Sequence, residues 1–527
     1  MERVSSHPVL TCAEAKVWEA GLLKDETAEW TAMQRAGAAL AAAIEEDFRE
    51  IGGLPDDARI LVLLGKGHNG GDAVLAATAL LRQRPHARVT IQSVFPSGSP
   101  RLLTQRACEE FGFSFGKQEE LFDWKSAQAN SYDLCLDGVF GMQFHPPLEE
   151  SIAKMLAWVN THPRIRLRAA VDLPSGMGDE NAGTVFRADF TYATGIVKSP
   201  VVMESNAIYT GRLRYLDLGF FANLAGPVEP GPESVTSATS RILLPAILAP
   251  LARLRPAQTD KRTYGHLFVV GGSRQYPGAV LMTVQAALRS GVGLLTAFVP
   301  ASLVPEYAVK FPEAMWVGWP ETPTGGLAAA GVKLLLEKLP RATALAIGPG
   351  LGAEPETLAA VQVIVRAATV PLLLDADALR PEVLGAAQGK RFICSPHAGE
   401  WQRIGGRAGL RPAQGGPAIG EIVAVLKGPI TRIVADSGRS ETGPTYYSFF
   451  GGPVLARGGS GDLLAGLIGG LLAQAPDDLL LAAGRGVVWH GLAADLLARA
   501  KGQVAVQTTQ LLDYLQPALL STAHDPL

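Results

Sequence analysis

Apolar residues near the start of the chain recur at helical spacings and then give way to short, uninterrupted runs. Residues 10–48 carry apolar side chains three and four positions apart, which predicts two helices with a break near Gly21. Short apolar runs separated by helix-length segments then predict parallel strands buried on both faces, at residues 59–65, 88–95, 133–137 and 168–172. The pattern therefore predicts one αβα domain of the Rossmann-like kind.

The alternation stops once and then restarts. Residues 223–240 are rich in Pro, Gly, Ser and Thr and have no apolar period, which predicts a linker. Beyond it, apolar runs predict the strands of a second domain, at residues 266–270, 344–347, 370–375, 392–394 and 431–434. We therefore expect an α/β fold class with two αβα three-layer domains, over residues 1–222 and 241–527.

Composition agrees with this division and narrows the function. A chain of 527 residues exceeds what one hydrophobic core organises. The net charge of -3 comes with scattered basic residues, which argues against nucleic-acid binding. The four cysteines show no CxxC spacing, and no run approaches the roughly 20 apolar residues that span a bilayer. We therefore expect a cytoplasmic protein with buried thiols and no membrane or nucleic-acid partner.

A glycine-dense loop in the second domain runs directly into an apolar stretch of helical length. The loop covers residues 451–462 and the stretch residues 463–475, so the loop lies at a helix amino terminus. Free N–H groups and the helix dipole favour an anion there. Asp462 falls in the first turn, where a carboxylate can accept a proton from an attacking hydroxyl, although Asp at this place also serves as a helix cap.

Further Gly-rich or polar turns stand at the ends of the predicted strands of this domain. They cover residues 271–279, 348–352, 375–377, 395–400 and 427–431. Open α/β sheets bind ligands at the edge where such turns meet, so the set predicts a large nucleotide-shaped cleft. His397 alone would fit a satisfied loop or core histidine, but its neighbours favour a ligand site.

The motifs KRTYGHLFVVGGSRQYPGA, AIGPGLG, LLLDADAL, CSPHAGE, KGPITRIV and GGSGDLLAGLIGGLLAQ occur in this order. Together they resemble the ADP/ATP-dependent NAD(P)H-hydrate dehydratases, a ribokinase-like family. The resemblance implies an adenine-nucleotide site formed by Lys427, Gly428, Pro429, Ile430, Thr431, Gly459, Ser460 and Gly461. It implies contacts with the hydrated dinucleotide from Ala279, Gly350, Gly352, His397 and the catalytic base Asp462.

The chemistry that the resemblance implies is repair of hydrated NADH or NADPH. Phosphate passes from ADP or ATP to the ring hydroxyl and is then eliminated, with Mg2+ on the nucleotide phosphates. The amides of Gly459, Ser460 and Gly461 would stabilise the moving phosphoryl group. Arg457 stands where the family carries Thr and adds a charge near the phosphates. A small-alcohol kinase of the same superfamily is the alternative.

The first domain carries a glycine loop, residues 65–72, after its first predicted Rossmann strand. The loop contains GxGxxG, but residues 92–95 supply no acidic residue for a ribose, so an oxidoreductase site is disfavoured. Polar residues stand instead at successive strand ends: Asn69 and Asp72 on the loop, then Asp137, Asp172 and Ser175. Each Asp could be a helix cap, yet together they could hold a cation and a ribose or amide.

This half, including AMQRAG at residues 32–37, resembles the NAD(P)H-hydrate epimerase domain, whose loop reads GNNGGD. The resemblance implies K+ ligands Asn69, Asp137 and Ser175, catalysis by Asp172, and a family match at Lys198. It implies substrate contacts from His68, Asn69, Gly70, Gly71, Asp72, Gly141, Met142, Gln143, Phe144, His145, Pro146 and Pro147. A homo-oligomer is expected by the same resemblance.

Three positions depart from the epimerase pattern. His68 replaces an Asn, Met142 and Gln143 replace the end of a Gly-Thr-Gly turn, and Gln34 replaces a Glu. Loss of a glycine at Gln143 would close the pocket or reshape it. These departures motivate an alternative in which the first domain keeps the fold and binds ligand without catalysis.

Overall fold

The computed structural model describes residues 4–95, 100–112, 130–181, 183–222, 239–410, 420–436 and 443–522. The chain divides into two compact units. The amino-terminal unit comprises residues 8–240 and 499–502, and the carboxy-terminal unit comprises residues 1–7, 241–498 and 503–527. The predicted linker lies outside the described residues, except for 239 and 240. None of the described helices is both long and apolar enough to span a bilayer.

Two helices open the amino-terminal unit, and their division differs slightly from the prediction. Helix α1 (Cys12–Leu22) starts with a capping box between Thr11 and Glu14, and α2 (Glu26–Phe48) starts at the cap residue Asp25. The break therefore lies at residues 23–25 and not at Gly21. Gly21 stays helical and has open space around it, whereas the Asp25 side chain accepts from the amide of Ala28 and fixes where α2 begins.

The remaining elements of this unit alternate strand and helix. The strands are β1 (Ser6–Leu10), β2 (Arg59–Leu64), β3 (Arg88–Ser93), β4 (Tyr132–Gly138), β5 (Ile165–Val171), β6 (Phe190–Thr194), β7 (Val197–Lys198) and β8 (Arg212–Leu216). The helices are α3 (His68–Gln83), α4 (Leu102–Phe111), α5 (Glu150–Thr161) and α6 (Ala207–Thr210). The sequence prediction included β2 to β5 but not β6 or β8.

The sheet of this unit runs β3-β2-β4-β5-β6-β8, and its neighbouring strands are parallel. Strand β2 alternates between two cores: Ile60 and Val62 lie in one, and Leu61 and Leu63 in the other. The predicted double-sided burial is thereby confirmed. The strand order reverses between β2 and β4, and ligands of doubly wound sheets bind in the crevice at such a switch point.

The strands of the carboxy-terminal unit were predicted in part. They are β9 (Ser240–Leu243), β10 (His266–Val270), β11 (Leu294–Pro300), β12 (Met315–Trp319), β13 (Ala344–Ile347), β14 (Leu372–Leu374), β15 (Phe392–Cys394), β16 (Ile422–Leu426), β17 (Thr431–Asp436) and β18 (Thr445–Ser448). Strands β11, β12, β16 and β18 were not predicted. Their order across the sheet is β12-β11-β10-β13-β14-β15-β16-β17-β18.

Ten helices of the described chain accompany these strands. They are α7 (Pro277–Arg289), α8 (Val304–Lys310), α9 (Val332–Leu336), α10 (Pro355–Ala367), α11 (Pro381–Ala386), α12 (Ala398–Arg403), α13 (Gly406–Gly409), α14 (Ser460–Gln474), α15 (Leu479–Lys501) and α16 (Leu515–Thr522). In the sheet order from β12 to β16 each strand is parallel to the next, whereas β17 pairs antiparallel with both β16 and β18. The switch point lies between β10 and β13, whose following loops carry residues 271–276 and 348–352.

Helices α14 and α7 pack closely because small residues face one another. A Cβ at Gly466 would lie 2.2 Å from the carbonyl oxygen of Thr283, and a Cβ at Gly470 would lie 2.0 Å from Oγ of Ser290. The Thr283 hydroxyl also donates to the carbonyl oxygen of Asp462 over 3.1 Å. The first turn of α14 is therefore anchored to α7, and this fixes the position of Asp462.

Candidate active sites

A cavity of about 730 Å³ opens at the switch point of the amino-terminal sheet. Most of the predicted substrate contacts line it, namely His68, Asn69, Asp72, Gly141, Met142, Gln143, Phe144, His145, Pro147, Asp172 and Lys198. Gly70, Gly71 and Pro146 are not among its described lining residues. A Cβ at Gly70 would lie 2.4 Å from the carbonyl oxygen of Gly65, and one at Gly71 would lie 2.4 Å from Cε of Met33. These two glycines serve close packing.

The polar residues placed on the first loop lie instead in a helix. Helix α3 begins at His68 after the N-cap residue Gly67, so Asn69 and Asp72 project from its first turns. Oδ1 of Asp72 is buried and has no hydrogen-bond partner in the described chain. Burial, with the neighbouring Asp172 and Glu19 carboxylates, raises the pKa of Asp72 well above its usual range.

Asp172 and Lys198 form a buried ion pair in this cavity. Nζ of Lys198 lies 2.6 Å from Oδ1 of Asp172, and the same oxygen lies 3.3 Å from Oγ1 of Thr194. Lys198 is only 1% exposed, yet the carboxylates around it outweigh burial and raise its pKa. Asp172 follows β5 with a φ of 65°, a left-handed conformation that Asp adopts more readily than most residues. The structure thus places both predicted residues together.

Glu19, on α1, also lines the cavity and was not predicted as a site residue. Its Oε1 lies 3.8 Å from Nζ of Lys198. Burial raises the pKa of Glu19 to about 7, with Lys198 opposing and Asp172 adding to the shift. In the sequence, Glu19 is one of several charged residues of an amphipathic helix, so the local pattern contained no signal for it.

The three predicted K+ ligands are connected through the backbone of Phe140. The Asn69 side chain donates to the Phe140 carbonyl over 2.9 Å, and the Phe140 amide donates to Oγ of Ser175 over 2.9 Å. The Ser175 hydroxyl in turn donates to Oδ1 of Asp137 over 2.6 Å. The other donors to Asp137 are the amides of Ser175 and Val139, all neutral groups. This set of oxygens with one uncompensated carboxylate fits a monovalent cation.

The unusual turn at residues 141–144 leaves the cavity open. Gln143 lines the cavity and accepts a 2.7 Å hydrogen bond from the guanidinium of Arg101. Phe144 packs against Phe140, with ring centroids 5.0 Å apart. The missing glycine has therefore reshaped the rim without closing the pocket.

In the carboxy-terminal unit the glycine loop ends at an uncapped helix. Helix α14 starts after the N-cap residue Gly459, which has a φ of 88°. No side chain caps the first amides of this helix. The Ser460 amide donates to the carbonyl oxygen of Arg457 over 3.3 Å, so two of the three predicted amides, those of Gly459 and Gly461, remain for an anion. A Cβ at Gly459 would lie 2.5 Å from Sδ of Met282, which explains the glycine.

Lys427 reaches this loop from the end of β16. Its Nζ lies 3.0 Å from Oδ1 of Asp375, which also accepts a 2.7 Å bond from the Ser395 hydroxyl. A Cβ added at Gly461 would lie 3.3 Å from the same Nζ, so the ammonium faces the first turn of α14. Gly428, Pro429 and Ile430 form the turn that follows, and Thr431 opens β17.

Asp462 has the electrostatics of a base that works near neutral pH. Burial raises its pKa to about 7, and the carboxylates of Asp375, Asp377 and Glu400 add to the shift, while Lys427 opposes it. A general base is most effective when its pKa lies near the working pH. The helix-cap alternative is not supported, because α14 begins without any side-chain cap.

The predicted dinucleotide contacts lie on neighbouring turns. A Cβ at Gly350 would lie 3.2 Å from Cβ of Ala279, which places these two positions side by side. The Gly352 amide donates to Oδ2 of Asp377 over 2.9 Å. His397 caps α12, and its Nδ1 accepts from the Gly399 amide over 3.0 Å. Its side chain remains 61% exposed, so the cap leaves the ring accessible to a ligand.

Arg457 does not act as predicted. Its guanidinium donates to the carbonyl oxygens of Gln503, Val504 and Val506 over 2.5, 2.7 and 3.0 Å. The charge is therefore directed at a neighbouring backbone segment, and the expectation that it would stand near the nucleotide phosphates is wrong.

His490, on α15, is a buried group that the sequence did not single out. It hydrogen-bonds with the backbone of Ser460, while its Nε2 is buried without a partner in the described residues. Burial lowers the pKa of His490 to about 4, so the ring is neutral at pH 7. A lone histidine in an apolar helix gives no sequence signal that it contacts an anion loop.

Family comparisons divide the chain in the same way. The family described as NAD(P)H-hydrate dehydratase matches residues 267–517, and the family described as YjeF-related protein N-terminus matches residues 30–199. The first range contains the carboxy-terminal site, and the second contains the site residues from His68 to Lys198 but not Glu19. They favour a dehydratase over a small-alcohol kinase for the second unit.

Several whole-length relatives carry one name. The bifunctional NAD(P)H-hydrate repair enzyme of Gloeobacter violaceus is 35% identical over 507 residues, covering 92% of this chain and 93% of the relative. That of Moorella thermoacetica is 32% identical, covering 92% and 91%. Among solved structures, the ADP/ATP-dependent NAD(P)H-hydrate dehydratase of Bacillus subtilis, co-crystallised with ATP/Mg2+, is 29% identical. It covers 51% of this chain and 94% of that one, with a TM-score of 0.42.

Proposed function

The chain belongs to the family of bifunctional NAD(P)H-hydrate repair enzymes, and from this premise we propose which side chains carry out its two reactions. The carboxy-terminal unit holds the dehydratase and the amino-terminal unit holds the epimerase. The assignments below rest on the contacts described above. That the chain assembles into a homo-oligomer stays a prediction.

For dehydration, we assign Asp462 as the base. It takes the proton of the ring hydroxyl as that oxygen attacks the terminal phosphoryl group of ADP or ATP. The amides of Gly459 and Gly461, with the ammonium of Lys427, stabilise the charge that develops on the phosphoryl oxygens. The phosphate then leaves with the C–O bond electrons, and loss of a proton from the adjacent ring carbon restores the double bond. Ala279, Gly350, Gly352 and His397 line the acceptor side.

The nucleotide binds at the turn formed by Lys427 to Thr431. The described residues contain no cluster of three His, Cys, Asp or Glu side chains able to hold a metal. This suits Mg2+, which binds mainly through substrate phosphates and waters in such sites. Bound in that way, Mg2+ would neutralise phosphate charge.

For epimerisation, we assign Asp172 as the carboxylate that works at the ring carbon bearing the hydroxyl. Lys198 holds and orients it, because the two groups are 2.6 Å apart in a buried setting. Asn69, Asp137 and Ser175 would hold K+, which would supply a fixed positive charge beside the substrate. Because the cavity is open at residues 141–144, it favours a catalytic epimerase site over one that only binds ligand.

The observation that carries this proposal is the position of Asp462 in the first turn of an uncapped glycine-loop helix, with a pKa near 7. The test mixes the chain with both epimers of hydrated NADH and with ADP, and follows the absorbance of the restored nicotinamide. Complete recovery faster than spontaneous epimerisation is expected. If recovery continues only at the rate of spontaneous epimerisation once the reactive epimer is spent, the epimerase assignment is wrong. A stable phosphoester in a phosphorus NMR spectrum would contradict dehydration.

A further inference from the structure

In the cavity of the amino-terminal unit, the Lys198 ammonium lies among more carboxyl groups than it can neutralise. Asp172, Glu19 and Asp72 all line the cavity, and Lys198 is the buried cation beside them. Lys198 is hydrogen-bonded to Asp172 at 2.6 Å and lies 3.8 Å from Glu19. Because one ammonium compensates one carboxylate, the remaining carboxyl groups are most stable with a proton attached.

Glu19 is the carboxyl group of this cluster that is free to meet a ligand. Its side chain is 22% exposed, and within the described chain its carboxylate accepts no hydrogen bond. Oδ1 of Asp72 is buried, and Asp172 is held by Lys198 and Thr194. Burial raises the pKa of Glu19 to about 7, so its proton can be donated and recovered near neutral pH.

We propose that Glu19 is the general acid of the epimerase, acting together with the Asp172 side chain on the hydroxyl group of the hydrated nicotinamide. This inference rests on the proposed epimerase function of the unit. It adds a catalytic residue that lies outside the glycine loop and outside both strand-end motifs.

The reaction removes water from the ring carbon and adds it back on the opposite face. The Glu19 carboxyl transfers its proton to the ring hydroxyl, and the C–O bond breaks with its electron pair on the departing water. The ring nitrogen supplies its lone pair to the same carbon, and the resulting iminium is stabilised by the Asp172 carboxylate. Water then adds from the opposite face while Glu19 or Asp172 takes up its extra proton. No oxidant or further reactant is needed.

The charged groups facing Glu19 set its expected pH dependence. They are Lys198 on β7, Asp172 after β5 and Asp72 on α3, and Lys16 on α1 lines the same cavity. Glu19 must be protonated to act, so the enzymatic epimerisation rate should fall as the pH rises through about 7. The rate without enzyme is subtracted at each pH.

The test compares the full chain with Glu19→Gln, which keeps the size of the side chain but has no carboxyl proton. General acid catalysis contributes roughly 10²–10⁴-fold, so the epimerisation kcat should fall by at least about 100-fold with little change in KM. The pH profile of the remaining rate should no longer show the fall near pH 7. Dehydration of the reactive epimer by the same chain should stay unchanged, and a circular-dichroism melting curve that matches the wild-type curve shows that the amino-terminal unit of Glu19→Gln has folded.

Two further variants make the outcome decisive. Glu19→Asp keeps a carboxyl group on a shorter side chain. It should retain part of the epimerisation rate and the fall of that rate near pH 7. Glu26→Gln removes an exposed carboxylate at the start of α2, outside the cavity, and should have no effect. If the wild-type chain and Glu19→Gln epimerise equally fast, the role of Glu19 is overturned and the epimerase function is not. A wild-type chain that epimerises no faster than the spontaneous reaction overturns the epimerase function as well.

Discussion

Nζ of Lys427 and Oδ1 of Asp375 lie 3.0 Å apart, and this pair faces the first turn of α14. Asp375 is 2% exposed and therefore acts on its surroundings through a weakly screened field. It holds the Lys427 ammonium in place and, at the same time, raises the pKa of Asp462. One carboxylate thereby influences both the phosphate-binding cation and the base.

Asp375→Asn should shift the pH profile of dehydration. Removing this charge lowers the pKa of Asp462, so the midpoint of the kcat profile should move to lower pH by about one unit. The KM for ADP should change as well, because Lys427 loses its partner. Steady-state rates between pH 5 and 9 measure both effects, and an unmoved midpoint contradicts the coupling.

In the wild-type chain, the dehydration kcat should rise with pH through about 7, since Asp462 must be ionised to accept a proton. Asp462→Asn should lower kcat by roughly 10²–10⁴-fold while ADP still binds, as calorimetry can show. Epimerisation by the same variant should be unaffected. An Asp462→Asn chain that still dehydrates would refute the base assignment.

Arg457→Thr restores the residue expected from the family pattern, and it should act on stability. The guanidinium donates to three backbone carbonyls, and the loss of such contacts costs about 1–3 kcal/mol of unfolding free energy. The KM for ADP should stay within about twofold. Denaturant titration and steady-state kinetics separate the two quantities, and a large change in KM with unchanged stability is the contrary result.

Potassium should support epimerisation and leave dehydration alone. Replacing K+ by choline removes the cation that Asn69, Asp137 and Ser175 are proposed to hold, and the epimerisation rate should fall. Ser175→Ala should weaken the dependence on K+ concentration, because its hydroxyl bridges Asp137 and Phe140. Equal rates in K+ and choline at matched ionic strength would rule out the assignment.

His490→Gln should reduce the acid sensitivity of the fold. Burial lowers the pKa of His490 from 6.5 to about 4, so the wild-type protein loses stability as the pH falls between these values, where the unfolded state gains the proton first. At about 1.4 kcal/mol per pKa unit, the loss is on the order of 3 kcal/mol. Between pH 7 and 4, the melting temperature of the wild-type chain should fall more steeply with decreasing pH than that of His490→Gln.

The sequence predicted the elements whose patterns are local. Uninterrupted apolar runs identified β2, β4, β10 and β15, and the glycine loop identified the start of α14 within a turn. Strand β12 was missed because two of its five residues are exposed, and β18 because it is short and pairs antiparallel with β17. A search for uninterrupted buried runs does not detect such strands.

The sites were predicted to the extent that motifs carried them. Asp462, Lys427, Asp172 and Lys198 lie where the motifs indicated, whereas Glu19 joins its site only through the tertiary packing of α1. The substrate contacts predicted for Gly70 and Gly71 stay a prediction, since a glycine-rich motif does not distinguish contact with a ligand from close packing of the backbone. Distances between separate elements are not encoded in any local window.

The left-handed backbone at Asp172 restricts which replacements can report on its chemistry. At a φ of 65°, alanine and the β-branched residues are strained, while asparagine and glycine tolerate the conformation. A saturation library at this codon should therefore recover folded chains chiefly as Asp, Asn and Gly, and active epimerases only as Asp. Selection on this position would thus act twice, once through the shape of the main chain and once through the acidity of the side chain.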